Sequence, residues 1–173
     1  MQLGRLGKSG GQSAPALGVA ARRTRPPDAT LQALLGLTAS LTAVEVDNSM
    51  VERLNRRYGQ RARIIRGDGT QTGLPDDHFT SVVCFTMLHH VASAQLQDQL
   101  FAEAYRVLQP GGVFAGSDGV PSLPFRLIHI ADTYTPIAPA DLPGRLRAVG
   151  FTDIHVDVAG ARLRWRATKP VAA

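Results

Sequence analysis

The stretch FTSVVCF, residues 79–85, carries apolar side chains at both odd and even positions. A strand with one wet face alternates, whereas a strand apolar on both sides needs helices over both faces, as in a parallel sheet. Helical patterns bracket this run. NSMVERLNRRYG (48–59) opens on an Asn cap, sets Met50, Val51, Leu54 and Tyr58 on one face and stops at a glycine. SAQLQDQLFAEAYRVL (93–108) aligns Leu96, Leu100, Phe101, Ala104, Val107 and Leu108 in one stripe. Strand and helix in alternation predict an α/β fold with a mostly parallel sheet covered on both faces.

Other segments extend the rhythm. ATLQALLG (29–36) reads as a helix, and LTAVEV (41–46) and ARIIR (62–66) as strands. QPGG breaks the helix at 93–108, after which VFAGSD (113–118) is a strand. PADLPGRLRAVG is a helix closed by Gly150, and FTDIHVDV with RLRWRATK makes an antiparallel hairpin joined at residues 159–160. In its last strand Leu163, Trp165 and Ala167 alternate with Arg162, Arg164 and Arg166, so one face is buried and the other wet.

A length of 173 residues suits one domain, and 44% apolar content is enough for a core. Residues 1–28 lack either periodicity and hold Arg5, Lys8, Arg22, Arg23 and Arg25 against Asp28 alone. They read as a poorly ordered basic tail before a domain at 29–173. Most of the net charge of +5 belongs to that tail, which argues against nucleic acid as the partner. No apolar run is long enough to cross a bilayer, and ALGVAA (16–21) is too short for a signal-peptide core. A soluble cytoplasmic protein without a membrane partner is the expectation. Cys84 stands alone, which excludes a disulfide framework and any multi-cysteine metal site, and within SVVCF it reads as a buried inert thiol.

Several motifs fail on inspection. GRLGKSGG (4–11) has two residues where a phosphate-binding P-loop needs four between its first glycine and GKS. GDGTQTG (67–73) has Thr72 at the last glycine position of a dinucleotide fingerprint, and Pro75 denies it a helix. No tyrosine is followed by lysine four residues on, which removes a short-chain reductase. His89 and His90 are adjacent, point apart and lack metal-ligand spacing, so one packed and one exposed histidine is the reading, with a substrate-facing base as its alternative. No metal site is expected.

The acids at strand ends are more informative. Glu45 and Asp47 close one strand at the carboxyl edge, where open parallel sheets bind ligands, and a carboxylate there can accept bonds from both ribose hydroxyls. Asp68 follows the next strand in the same way. Together they suggest a nucleoside site.

From about Ala29 to Lys169 the chain resembles class I S-adenosylmethionine-dependent methyltransferases of the small-molecule type related to quinone-biosynthesis enzymes. The matching segments are LTAVEVDNSMVERL, RGDGTQTGLPDDHFTSVVCFTMLHHV, EAYRVLQPGGVFAGSD and LRAVGFTDIHVDV. The resemblance implies a Rossmann-like methyltransferase fold with seven strands, the last reversed, and S-adenosylmethionine as cofactor. It makes Glu45 the ribose carboxylate and places Val46 against the adenine. Asp68 would take the adenine amino group, the Gly69 amide would meet the ring, and Phe85 and Thr86 would lie near the methionine part. Leu108, Pro110, Gly111 and Gly112 would form a structural turn. A small molecule would accept the methyl group. Because such transfer needs mainly in-line positioning, no catalytic acid or base can be assigned.

One element departs from the family pattern. An acidic glycine-rich loop should end just before ATLQALL, where Thr24-Arg25-Pro26-Pro27-Asp28 stands instead, with no convincing strand ahead of it. The first strand therefore reads as missing or degenerate, as an altered reading frame or a wrongly joined start would leave it. Enzyme activity impaired by that loss is the main expectation. A non-catalytic methyltransferase-like remnant or protein-interaction domain is the alternative, with a basic-tailed RNA-binding protein a third idea.

Overall fold

A computed structural model describes residues 16–20, 27–121 and 134–171. The order of elements is β1 (Ala16–Ala20), α1 (Pro27–Leu35), β2 (Leu41–Glu45), α2 (Asn48–Tyr58), β3 (Arg63–Arg66), β4 (Phe79–Phe85), a single 3-10 turn (Leu88–His90), α3 (Ala94–Val107), β5 (Leu108–Gly119), α4 (Leu142–Val149), β6 (Thr152–Ala159) and β7 (Arg162–Thr168). Seven strands form one sheet in the order β3-β2-β1-β4-β5-β7-β6. β3, β2, β1, β4 and β5 are parallel. β7 runs antiparallel to both β5 and β6, which makes it the one reversed strand.

The parallel sheet and the closing hairpin match the sequence reading. The missing first strand does not. Ala16–Ala20 lies inside the segment read as a tail, and its backbone pairs with β2 on one side and β4 on the other. ALGVA is short, contains a glycine and shows no polar alternation, so propensity gave it little weight. A strand between two parallel neighbours draws its stability from ladders on both edges instead. The rest of the expected tail, residues 1–15 and 21–26, lies outside the described residues.

Helix α1 begins at Pro27, two residues ahead of the expected start. At the first helical position the missing N–H is no loss and the fixed φ favours entry. Pro27 thus starts a helix where the family pattern would place a glycine-rich loop. Asp47, rather than Asn48, caps α2, accepting from the Met50 amide at 3.1 Å. β5 begins at Leu108 and runs through the PGG turn, with a register shift against β4 between Phe79 and Ser81. Gly111 makes this possible with a φ of +79°.

Two apolar clusters flank the sheet. Leu31, Leu41, Ala43, Val51, Leu54 and Ile64 join α1 and α2 to β2 and β3. Val82, Cys84, Leu100, Phe101, Phe114 and Trp165 anchor the larger cluster, which brings α3 and α4 against β4, β5 and β7. Gly116 of β5 has no room for a side chain, since a Cβ would sit 2.2 Å from both the Cys84 carbonyl oxygen and the Trp165 ring.

Candidate functional site

Strand register sets the geometry of the carboxyl edge. Val19 of β1 pairs with both Val44 and Cys84, so Glu45 and Phe85 stand one residue further on at a common level. Glu45 is also level with Arg66 of β3, and Phe85 with Ser117 of β5. With strands about 4.8 Å apart, Glu45 and Phe85 are separated across β1 by roughly 10 Å. The order 2-1-4 makes β1 and β4 the point where the sheet reverses its direction of growth, the place where such sheets bind ligands.

Glu45 is 3% exposed and all of β2 is buried. Its Oε1 accepts from the Asp47 amide at 2.9 Å. This contact helps orient the group. Val46 next to it is 60% exposed, an apolar side chain held in the open at the strand end. Asp47 itself serves α2 as its cap.

Asp68 is exposed and opens the loop between β3 and β4. Its Oδ1 takes two bonds from Thr70, from the amide at 2.8 Å and from the hydroxyl at 2.9 Å. Among the described residues Oδ2 receives none, so the turn fixes one oxygen and presents the other. Gly69 follows, half-buried. Phe85 is half-buried at the end of β4, and Thr86 turns the chain there with a φ of +54°. A β-branched residue in that region costs about 1–3 kcal/mol and persists only where its surroundings enforce it. Here the Thr86 amide donates to the Ser117 carbonyl at 2.7 Å, tying the end of β4 to β5.

Beside this turn lies an arrangement absent from the sequence reading. His89 is 1% exposed, its Nδ1 bonds Asp118 Oδ1, and its amide donates to Asp118 Oδ2 at 3.1 Å. Asp118 is the penultimate residue of β5, so the strand-end rule that singled out Glu45 could have found it. The histidine rings do not point apart, as expected from adjacency, but lie against each other, tilted by 42° with centroids 4.0 Å apart. The 3-10 turn places both on one side, and His90 is half-buried rather than exposed. Asp118 also acts on Cys84. Burial pushes that thiol well above its usual pKa, and the nearby carboxylate adds to the effect.

Among the described residues no group of three or more histidines, cysteines or carboxylates could hold a metal. One groove of about 620 Å³ is lined by Ser40, Asn55, Arg61, Arg63 and His78. Its residues sit where β2, β3 and β4 begin, at the opposite edge from Glu45, and it takes no part in the site.

A sheet in this order with one reversed strand, and a buried carboxylate ending β2, define the class I S-adenosylmethionine-dependent methyltransferase fold. Residues 27–116, just over half of the chain, match the family described as methyltransferase domain, and the chain belongs to it. It is related to quinone-biosynthesis enzymes. It is 30% identical over 83 residues to the ubiquinone/menaquinone biosynthesis C-methyltransferase UbiE of Methylobacterium nodulans, covering 46% of this chain and 32% of that protein. It is 31% identical over 116 residues to a probable S-adenosylmethionine-dependent methyltransferase of Mycolicibacterium smegmatis, covering 62% and 42%. The chain thus spans less than half the length of these relatives. Phosphoethanolamine N-methyltransferase 2 of Haemonchus contortus, solved with S-adenosyl-L-methionine, superposes with a TM-score of 0.74 at 15% identity, over 94% of this chain and 50% of that one. No helix among the described residues is long and apolar enough to cross a membrane.

Proposed function

We propose that this domain transfers a methyl group from S-adenosylmethionine to a small-molecule acceptor, and that its hold on the cofactor is weakened at one end. The observation that carries the reading is the buried carboxylate of Glu45, level with Phe85 across the central strand. Glu45 accepts from the ribose hydroxyls, and Val46 covers one face of the adenine. Asp68 takes the adenine amino group through the oxygen its turn presents, with the Gly69 amide against the ring. Phe85 and Thr86 border the methionine part. The cofactor supplies the electrophilic methyl on its sulfonium; the protein holds the acceptor in line with it and excludes water. The relative named for ubiquinone/menaquinone biosynthesis supports a small acceptor, and no catalytic acid or base is assigned. We place the reaction in the cytoplasm.

The weak end is the connection from β1 to α1. Residues 21–26 read Ala-Arg-Arg-Thr-Arg-Pro, without glycine, and Pro27 brings no amide to the helix start. Close backbone approach and amide donation to the cofactor carboxylate are both reduced. A misplacement of about 1 Å at the methionine end can cost about a hundredfold in rate. Equilibrium dialysis with labelled S-adenosylmethionine tests this. The unmodified chain should bind weakly, and a chain whose residues 21–26 are replaced by an acidic glycine-containing loop should bind more tightly. Tight binding by the unmodified chain would overturn the impairment. No binding by either would favour the non-catalytic reading.

A further inference from the structure

The connection between β3 and β4, residues 67–78, carries Asp68 and Gly69 and contains neither helix nor strand. A loop of that length needs something to fix it if it is to present a carboxylate precisely. The buried Glu103 of α3 does this. Its Oε1 accepts from the Thr72 amide at 2.8 Å and from the Thr72 hydroxyl, the residue that spoils the dinucleotide fingerprint. The Thr72 hydroxyl also receives the Leu74 amide at 3.2 Å.

Arg106, one turn further along α3, completes the clamp. It donates from Nε to Glu103 Oε2 and from a terminal nitrogen to Oε1, both at 2.8 Å. The same guanidinium reaches the Leu74 carbonyl at 2.7 Å and pairs with Asp76. Burial alone would raise the Glu103 carboxyl, but the bonds from Arg106 and Thr72 outweigh it and hold it below its usual range. The carboxylate is therefore ionised at neutral pH, the form that can accept from all these donors at once. Next to Thr72, the Asp68–Gln71 bridge and the Asp68–Thr70 bonds pass that fixation back to the carboxylate at the loop's start.

We infer that Glu103 is a positioning residue that sets the selectivity of the site for adenine, by locking Thr72 and through it the loop that presents Asp68 and Gly69. This rests on the cofactor reading above. Glu103 acts through Thr72 in this proposal, so its removal should erase discrimination at the adenine edge and leave ribose contacts alone.

The test compares S-adenosylhomocysteine with its inosine counterpart, in which an oxygen replaces the adenine amino group. Binding is measured for the unmodified protein, Glu103→Gln and Thr72→Val. The second variant removes the Thr72 hydroxyl from the clamp and leaves the Thr72 amide bond and the Glu103–Arg106 pair in place. The unmodified protein should favour the adenine ligand by roughly tenfold, the worth of one charge-assisted hydrogen bond. In both variants that preference should fall toward unity while affinity for the inosine ligand holds. Hydrogen exchange at residues 68–72 should quicken without change in α3. A preference retained in both variants, or parallel weakening toward both ligands, would overturn the proposal. Failure of the unmodified protein to bind either ligand would instead overturn the cofactor reading, and the selectivity role with it.

Discussion

At the scale of single residues, the acids near the carboxyl edge of the sheet are side chains whose freedom has been reduced. Glu45 is turned by the Asp47 amide, Asp68 by Thr70, and Asp118 by the His89 amide together with that of Gly119, which donates to it at 2.7 Å. Sequence could show that acids end the strands, because a strand end is readable from its apolar run. It could not show that Glu103, in the middle of a helix, faces inward to Thr72, since the loop that meets it has no periodicity to place it. Cys84 gives a test at this scale. With its thiol pKa raised and its side chain inaccessible, too little thiolate forms for attack. The folded protein at pH 8 should react with a thiol reagent many times more slowly than the same chain in denaturant. Equal rates would show that β4 is open where it is described as buried.

At the scale of elements, β1 decides the fold. In the hydrogen-bonded ladder of the described residues it is the strand that joins the β2–β3 half of the sheet to the β4–β5 half. Five residues with a glycine at their centre gave no sequence signal beyond a short apolar run, whereas β4, with seven, was evident from its two-sided pattern. The same difference separates helix ends. Gly150 closes α4 in the left-handed conformation, with φ of +113°, as a glycine after an apolar stripe announces. The start of α1 at Pro27 was masked by the expectation of glycines there. Gly18 lies between Ala43 and Val83 in the ladders. Gly18→Pro removes an amide from the centre of the sheet, and should cost about 3 kcal/mol or more. A urea unfolding midpoint close to that of the unmodified chain would mean that β1 is dispensable.

For the whole molecule, the mostly parallel sheet follows from the alternation of strands and helices, and the reversed β7 from the closing hairpin. That much was legible because a parallel sheet demands helices on both faces and so imposes its pattern on the sequence. What was illegible is long-range: which short run joins the centre of the sheet, and which helix clamps the loop that carries Asp68. Those depend on partners far along the chain, Thr72 and Glu103 being 31 residues apart. The parts converge on one claim, that the cofactor lies across the carboxyl ends of β2, β1 and β4 and is anchored at Glu45. Calorimetric titration of S-adenosylmethionine into the unmodified protein and into Glu45→Ala tests it most directly. A hydrogen bond to a charged group is worth about 1.5–3 kcal/mol, so the variant should bind about tenfold to a hundredfold more weakly. Equal affinities, or no binding by the unmodified protein, would contradict the account.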